Sequence, residues 1–169
     1  MPFILCPNIW SFFTKFIKNS NEFERLHNDG LKINLDSPEA LEEVFWKVFL
    51  KNSYIKKDTI HEHKVSLEIL EEYRTFVELV VQSKKKNNYL SKNNNNILRI
   101  DDLSRFFEKS KFIIMFRDPL NHSFSLKKQY FNFKSIHKSN KFIIDYMNYL
   151  GHFEFGENYK NYSFFNYDK

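Results

Sequence analysis

Cysteine and glycine are scarce in this 169-residue chain, and each shortage excludes classes of protein. The single cysteine, Cys6, excludes both a disulfide framework and a zinc site built from several cysteines. The three glycines, Gly30, Gly151 and Gly156, are far apart, and none lies in a glycine-rich turn after an apolar strand. The chain therefore carries neither a Walker A loop nor the GxGxxG turn of dinucleotide-binding proteins.

Long apolar runs are also missing. Lys15 and Lys18 interrupt the apolar N-terminal segment, and no basic region precedes it. This pattern predicts neither a signal peptide nor a membrane-spanning helix, and a reducing, cytoplasmic location fits the single cysteine. The chain does have 42% hydrophobic residues, including 20 phenylalanines. That content is sufficient for one domain with a core of large aromatic rings.

The net charge of +5 is scattered, and its densest cluster is Lys84–Lys86. We interpret this cluster as a solvated helix end, because lysines there complement the helix dipole. An alternative is a basic protein that binds nucleic acid or a membrane surface, which the charge and the aromatic N-terminus leave open.

Apolar periodicity predicts strands alternating with helices. Helices are predicted from the Asp36-Ser37-Pro38 start to Leu50 and over residues 62–83, 97–107, 119–135 and 140–150, and strands over 31–35, 89–92 and 111–116. A strand–helix–strand order through residues 89–117 predicts a right-handed crossover and hence an α/β fold with parallel pairing.

The most informative stretch is Lys111–Ser125, KFIIMFRDPLNHSFS. Its apolar half predicts a buried strand that ends at Arg117, Asp118 and Pro119, with Ser125 eight residues after the arginine. A cation at a strand end and a hydroxyl two helical turns further on are groups that an anion over a strand–helix junction requires.

Residues 89–131 resemble the core of the sulfotransferase family, in which a strand ending in R-D-P is followed by a serine eight residues after the arginine. The segments HNDGLKINLDSPEALEEVFW and YMNYLGHFEFG resemble the flanking regions of bacterial members. The resemblance implies a helix-rich, incomplete, P-loop-NTPase-like three-layer α/β/α sandwich with a short parallel sheet. Residues 1–169 then form a single, partial sulfotransferase domain.

The resemblance also implies roles for three residues. Arg117 and Ser125 match the family's ligands for the 3′-phosphate of the donor, 3′-phosphoadenylyl sulfate, and arginine suits such bidentate binding. Lys92 matches a lysine near the transferring group, although Asn94 stands where the family has proline. The structural alternatives are that Arg117 pairs with an acid such as Asp118, that Ser125 bonds its own helix, and that Lys92 is a solvated loop residue.

The family's loop resembling P-R-S-G-T-[ST], which holds the 5′-phosphosulfate, has no counterpart before Lys92. We therefore expect an N-terminally truncated domain. Such a domain would be inactive in isolation and would need a partner fragment or a longer chain for activity. Loss of the neighbouring strand predicts an exposed apolar sheet edge. The expected partners are a complementing fragment or a second copy, besides an unidentified acceptor, with no nucleic acid and no membrane span.

Candidates for the base that deprotonates the acceptor are few. His27 and Asp29 lie in a turn-like HNDG segment and are the candidates, since proton removal needs a histidine or a placed carboxylate. His61 and His63 do not share a helical face and lack a third ligand, so no metal site is predicted. His122 is equally consistent with a surface position and with one facing the donor.

The leading functional hypothesis is sulfuryl transfer to a hydroxyl or amine acceptor by in-line attack, with no metal. The second is a non-catalytic sulfotransferase remnant that binds an anion or another protein, which the missing loop favours. The basic nucleic-acid or membrane-surface protein is the third.

Overall fold

A computed structural model describes residues 22–28, 30–33, 42–83 and 85–164. The predicted helix start at Asp36 and the candidate base Asp29 lie outside these described residues. In chain order the elements are β1 (Phe23–Glu24), β2 (Lys32–Ile33), α1 (Glu42–Phe49), β3 (Thr59–His61), α2 (Leu67–Ser83), a 3₁₀ helix (Asn94–Arg99), α3 (Ile100–Phe106), α4 (Pro119–Ser139), α5 (Lys141–Leu150) and β4 (Asn161–Ser163).

Local signals in the sequence explain the ends of α4 and α5. Asp118 is the N-cap of α4 and its carboxylate accepts a hydrogen bond from the Asn121 N–H at 2.8 Å, while Pro119 occupies the first turn. Gly151 ends α5 in the left-handed conformation, with φ of 77°. A Cβ at Gly151 would lie 2.5 Å from Cγ of Glu43, so this glycine also permits close packing of α5 on α1.

The structure confirms a helix-rich α/β fold with a short parallel sheet. In that sheet β3 pairs with β4, and Ile60 lies opposite Tyr162. A second, antiparallel pair joins β1 to β2, with Phe23 opposite Ile33. The prediction of extended chain near residues 31–35 is thus confirmed at Lys32–Ile33.

The predicted strand at 111–116 is wrong, and so is the one at 89–92. Both segments lie outside any strand, and the crossover predicted through residues 89–117 is therefore not formed. Residues 112–116 are exposed, with Phe116 90% accessible. Apolar, β-branched composition favours a strand, but a strand exists only where another strand completes its hydrogen bonds, and no described segment does so here.

Three clusters of buried hydrophobic side chains are found among the described residues. Trp46 is fully buried and brings α1 against α2 and α3, whereas Ile60 brings β3 against the 3₁₀ helix. The clusters comprise Trp46, Val65, Leu70, Tyr73 and Leu103; Tyr54, Ile60, Leu98 and Phe153; and Val44 with Leu150. The core thus lies around α1, and α4 contributes to none of these clusters.

The turn between β1 and β2 packs instead on α4. Gln129 Nε2 donates to the backbone carbonyl of His27 at 2.9 Å, and Asn132 Nδ2 donates to that of Leu26 at 2.8 Å. The His27 ring meets Phe133 edge-on with 5.1 Å between centroids. Among the helices in the described part of the chain, none is both long and apolar enough to cross a membrane.

Candidate functional site

Residues 117–119 precede and begin α4 and carry two charged groups. The Asp118 carboxylate is hydrogen-bonded, whereas the Arg117 guanidinium has no partner among the described residues. Asp118 is committed to its cap, where its side chain binds the Asn121 N–H and its carbonyl binds the His122 N–H at 2.9 Å. Arg117 is exposed and forms no ion pair or hydrogen bond with another described residue. The structural alternative of an Arg117–Asp118 pair is therefore not formed, and the guanidinium can bind an external anion.

Ser125 is half-buried, two turns into α4. Its hydroxyl forms no hydrogen bond within the part of the chain that is described, whereas the hydroxyl of nearby Ser123 donates to the Pro119 carbonyl at 2.8 Å. The alternative in which Ser125 bonds its own helix is thus not formed either. At 1.5 Å per residue, Ser125 lies about 9 Å along the helix axis from Pro119, so Arg117 must extend along α4 to share a ligand with it.

The β1–β2 turn lies close to the serine side of α4. Gln129 is one helical turn after Ser125 on the same face, and its side chain binds the His27 carbonyl. The structure thus places the backbone of the candidate base His27 against Gln129, one helical turn from Ser125. The His27 ring itself is half-buried between Phe133 and Phe155, at 5.1 and 6.1 Å between centroids.

Lys92 lies in a different part of the fold, on the segment that leads into the 3₁₀ helix. Its side chain is exposed, but both neighbours are anchored: Ser91 donates to the Glu42 carboxylate, and Asn93 Nδ2 donates to the Glu43 carboxylate at 2.8 Å. No hydrogen bond or ion pair between described residues links Lys92 to Arg117 or Ser125. The loop that presents Lys92 is therefore held in place by α1.

A buried ion pair lies at the base of this loop. Arg99 Nη2 donates to both oxygens of Glu43, at 2.8 and 3.0 Å, with side-chain exposures of 0% and 3%. The guanidinium carbon lies 4.6 Å from the centre of the Trp46 ring and 5.4 Å from that of Tyr54. The two hydrogen bonds from Nη2 and the ring contacts compensate for part of the cost of burying two charges, whereas Nε and Nη1 of Arg99 are buried without a hydrogen-bond partner among the described residues.

Tyr54 belongs to the same cluster, since its hydroxyl donates to Glu43. Burial, together with the Glu43 carboxylate, raises the pKa of Tyr54, so the hydroxyl stays protonated and remains a donor. Glu42 is also buried and accepts hydrogen bonds from the Asn96 amide at 2.9 Å and the Tyr89 hydroxyl at 3.0 Å. The two glutamates thus act as acceptors that join α1 to residues 89–99.

Sequence reasoning missed this pair of glutamates. The sequence offered no clear signal, because Glu42 and Glu43 lie in the first turn of α1, where acids are common since they complement the helix dipole. The predicted helix over residues 97–107 contains their partner, Arg99, but the helical pattern gives it no role. Tertiary packing, which brings residues 56 positions apart into contact, decides the role of all three.

A shallow groove of about 420 Å³ lies beside α5, but its lysines are already engaged. Lys47 donates to the carbonyls of Asn148 and Tyr149, the latter at 3.0 Å, and Lys160 donates to that of Lys56 at 2.9 Å. Burial lowers the pKa of Lys47, which Glu43 partly offsets. These ammonium groups complete backbone hydrogen bonding and are poor candidates for an anion site.

His61 and His63 have local partners. His63 Nδ1 bonds the His61 carbonyl at 2.9 Å, and the His61 ring bonds Thr59 Oγ1 at 2.9 Å. Among the described residues, no group of three His, Cys, Asp or Glu side chains is arranged to hold a metal ion. His122, in α4, is exposed.

His63 predicts a pH dependence of stability. Burial lowers its pKa, and its Nε2 has no hydrogen-bond partner among the described residues, so folding favours the neutral ring. The unfolded chain binds this proton with a pKa of about 6.5. Stability is therefore complete above that pH and falls as the pH drops below it. In urea unfolding, the wild type should have a lower free energy of unfolding at pH 5.5 than at pH 7.5, and His63→Gln should show a smaller difference. Equal differences in the two proteins would contradict this role of His63.

The model of the sulfotransferase family matches residues 10–158 of the chain, which include α1, the Lys92 loop, the Arg117 junction and Ser125. No match was found among the curated proteins or the solved structures. The chain belongs to the sulfotransferase family, and this confirms the resemblance noted in its sequence.

Proposed function

We propose that this chain binds the adenosine 3′-phosphate of 3′-phosphoadenylyl sulfate through Arg117 and Ser125. Family membership supports sulfuryl transfer as the general chemistry, and sulfotransferases generally use this donor. The observation that carries the proposal is that the Arg117 guanidinium and the Ser125 hydroxyl both lack a partner among the described residues, on the same helix start. Neighbouring Asp118 and Ser123 are, in contrast, satisfied within α4.

The carboxylate of Asp118 limits how the anion is held. Because Asp118 already occupies the cap position, the positive end of the α4 dipole is partly neutralised. Binding then depends on the charge-assisted hydrogen bonds of Arg117 more than on backbone N–H groups. The phosphate sits on the Ser125 side of α4, away from the cap carboxylate.

Lys92 is the proposed cation for the reacting end of the donor. A positive charge there stabilises the negative charge that develops on the bridging oxygen as the S–O bond breaks. Anchoring of Ser91 and Asn93 by α1 limits the motion of this lysine. His27, beside α4, is the proposed base for a hydroxyl or amine acceptor, which attacks in line with the leaving phosphate.

The second candidate is a non-catalytic protein that retains only the 3′-phosphate half of the site. The sequence contains no glycine-rich segment to hold the 5′-phosphosulfate, and this favours the second candidate for the isolated chain. Both candidates predict binding of 3′,5′-bisphosphoadenosine. Release of that nucleotide from the sulfate donor in the presence of mixed acceptors distinguishes them, because only an enzyme produces it.

A pair of serine variants tests the proposed site. Ser125→Ala should weaken the binding of 3′,5′-bisphosphoadenosine by about 2- to 12-fold, the value of one hydrogen bond. Ser123→Ala is the matched control, because Ser123 is on the same helix and its hydroxyl is committed to Pro119. Isothermal titration calorimetry provides both affinities. Equal effects of the two substitutions would exclude Ser125 as a phosphate ligand.

A further inference from the structure

Helix α4 follows Arg117 and carries Ser125, but few of its side chains are buried. Of its 21 residues, only Phe133 and His137 are buried, with 2% and 4% of their surface accessible. They lie one helical turn apart and therefore share one face of α4. The attachment of α4 to the rest of the chain thus depends on two adjacent buried side chains, and one of them can be protonated near neutral pH.

The His137 ring contacts two other elements through its two nitrogens. Nδ1 accepts a hydrogen bond from the backbone N–H of Glu157 at 3.2 Å, and Nε2 lies 3.3 Å from Sδ of Met147 in α5. Because Nδ1 is an acceptor, the proton of the ring is on Nε2, where it is directed at the sulfur. These contacts require the neutral ring, since a protonated imidazole has no acceptor.

The chain at residues 155–157 fits closely against this face of α4. Gly156 has φ of 79°, and a Cβ there would lie 2.5 Å from both Nδ1 and Cε1 of His137. Phe155 stacks on Phe133 with 5.6 Å between ring centroids. Residues 155–157 therefore cover the buried face of α4.

The preceding residues, 151–154, are fixed to the core. Asn95, in the 3₁₀ helix, donates a hydrogen bond from Nδ2 to the Gly151 carbonyl at 3.2 Å. Phe153 is 7% accessible and belongs to a core cluster. Residues 151–157, here called the connecting segment, thus link the core to α4.

Other charged groups lie on the elements around His137. They are Lys134 and Lys138 on α4, Lys141 and Asp145 on α5, His152, Glu154 and Glu157 on the connecting segment, and His27 in the β1–β2 turn. Lys141 is paired with Asp145 at 3.8 Å, and His152 with Glu154 at 3.3 Å. Burial lowers the pKa of His137, and the Glu157 carboxylate offsets part of that effect.

We propose that His137 is a pH-sensitive contact, which holds α4 on the connecting segment while its ring is neutral and releases α4 when the ring is protonated. Protonation places an N–H at Nδ1 opposite the Glu157 N–H, so the hydrogen bond is lost and a charge is buried. In the released state the ring is in water, where its pKa is about 6.5. The attached state is therefore fully favoured above that pH and weakens as the pH falls below it.

Release of α4 has a consequence that rests on the proposed donor site. Arg117 and Ser125 move with α4, whereas Lys92 stays with the loop that α1 anchors. The two ends of the donor site then lose their fixed separation, and a ligand that spans both ends binds more weakly.

A distance measurement between spin labels on the full chain, without nucleotide, tests the proposal. The labels are attached at Lys128→Cys on α4 and Glu78→Cys on α2, which are both exposed, in a chain with Cys6→Ser. Pulsed electron paramagnetic resonance should give one distance at pH 7.5 and a second, released population at pH 5.5. The ratio of released to attached molecules should increase by up to about tenfold between these pH values.

Three variants separate His137 from other titrating groups. His137→Gln should give the same distances at both pH values, because the amide does not titrate in this range. His122→Gln is the matched control, since His122 is exposed on the same helix, and it should respond as the wild type does. Gly156→Ala should show the second distance already at pH 7.5, because its Cβ displaces the ring. Circular dichroism verifies that each labelled protein is folded.

Two results would overturn the proposal. One is a wild type whose distances are the same at pH 7.5 and pH 5.5, and the other is a pH response that persists in His137→Gln. Because the labels report the attachment of α4 without nucleotide, failure of the proposed donor site would leave these distances unchanged.

Discussion

Glu43→Ala is expected to lower the free energy of unfolding by about 3–5 kcal/mol, the usual cost of breaking a buried ion pair from one side. The substitution leaves the Arg99 charge buried beneath Trp46 without its carboxylate, and it removes the acceptor of the Tyr54 hydroxyl. Since domains of this size are stable by about 5–15 kcal/mol, a large fraction of the molecules should then unfold under mild denaturant.

The control for this prediction is an ion pair of the same chemistry at the surface. Arg74 and Glu71 are 2.9 Å apart and about half exposed, so Glu71→Ala should cost less than about 1 kcal/mol. Urea unfolding monitored by circular dichroism measures both. If the two substitutions lowered the free energy of unfolding by similar amounts, the buried Glu43–Arg99 pair would contribute no more to stability than a surface pair.

Arg117→Ala is expected to weaken the binding of 3′,5′-bisphosphoadenosine by about 10- to 150-fold, which corresponds to a charged hydrogen bond of about 1.5–3 kcal/mol. The side chain is exposed and contacts no described acid, so its removal should leave the stability of the chain nearly unchanged. A loss of affinity without a loss of stability is the signature of a ligand-binding arginine.

Arg105→Ala provides the matched control for Arg117. Arg105 is an exposed arginine at the end of α3, and its removal changes the net charge of the chain by the same amount. Fluorescence competition or calorimetry at constant salt gives the affinities of both variants. Similar weakening by the two would indicate non-specific electrostatic attraction, which falls steeply with salt.

The parts of the fold that depend on neighbouring residues could be predicted from the sequence. Asp118 and Pro119 predict the start of α4, and Gly151 predicts the end of α5, because a helix cap is formed by residues a few positions apart. The Arg117–Ser125 spacing was recognisable for the same reason, since this part of the family resemblance lies within nine consecutive residues.

The parts that depend on distant pairing could not be predicted. β3 and β4 contain three residues each and are about one hundred positions apart, so neither carries a periodic pattern. The run at 112–116 has the composition of a buried strand, but no described segment pairs with it. Composition reports the preference of a segment, whereas pairing depends on what else is present.

The same distinction applies to the site. Arg117 and Ser125 are identified by a local motif. The roles of Glu42, Glu43 and Arg99, in contrast, depend on the packing of α1 on the 3₁₀ helix. Lys92 lies between these cases, since the motif around it is incomplete and its anchoring by α1 is a tertiary feature. No sequence pattern identifies the acceptor.

The most direct test of the donor site compares two nucleotides on two proteins. Calorimetry of 3′,5′-bisphosphoadenosine and adenosine 5′-phosphate with the wild type and Arg117→Ala forms a closed thermodynamic cycle. We expect the wild type to prefer the bisphosphate by about tenfold or more and the variant to lose most of that preference. Equal affinity of the wild type for both nucleotides, or a preference that survives Arg117→Ala, would contradict binding of the 3′-phosphate by Arg117.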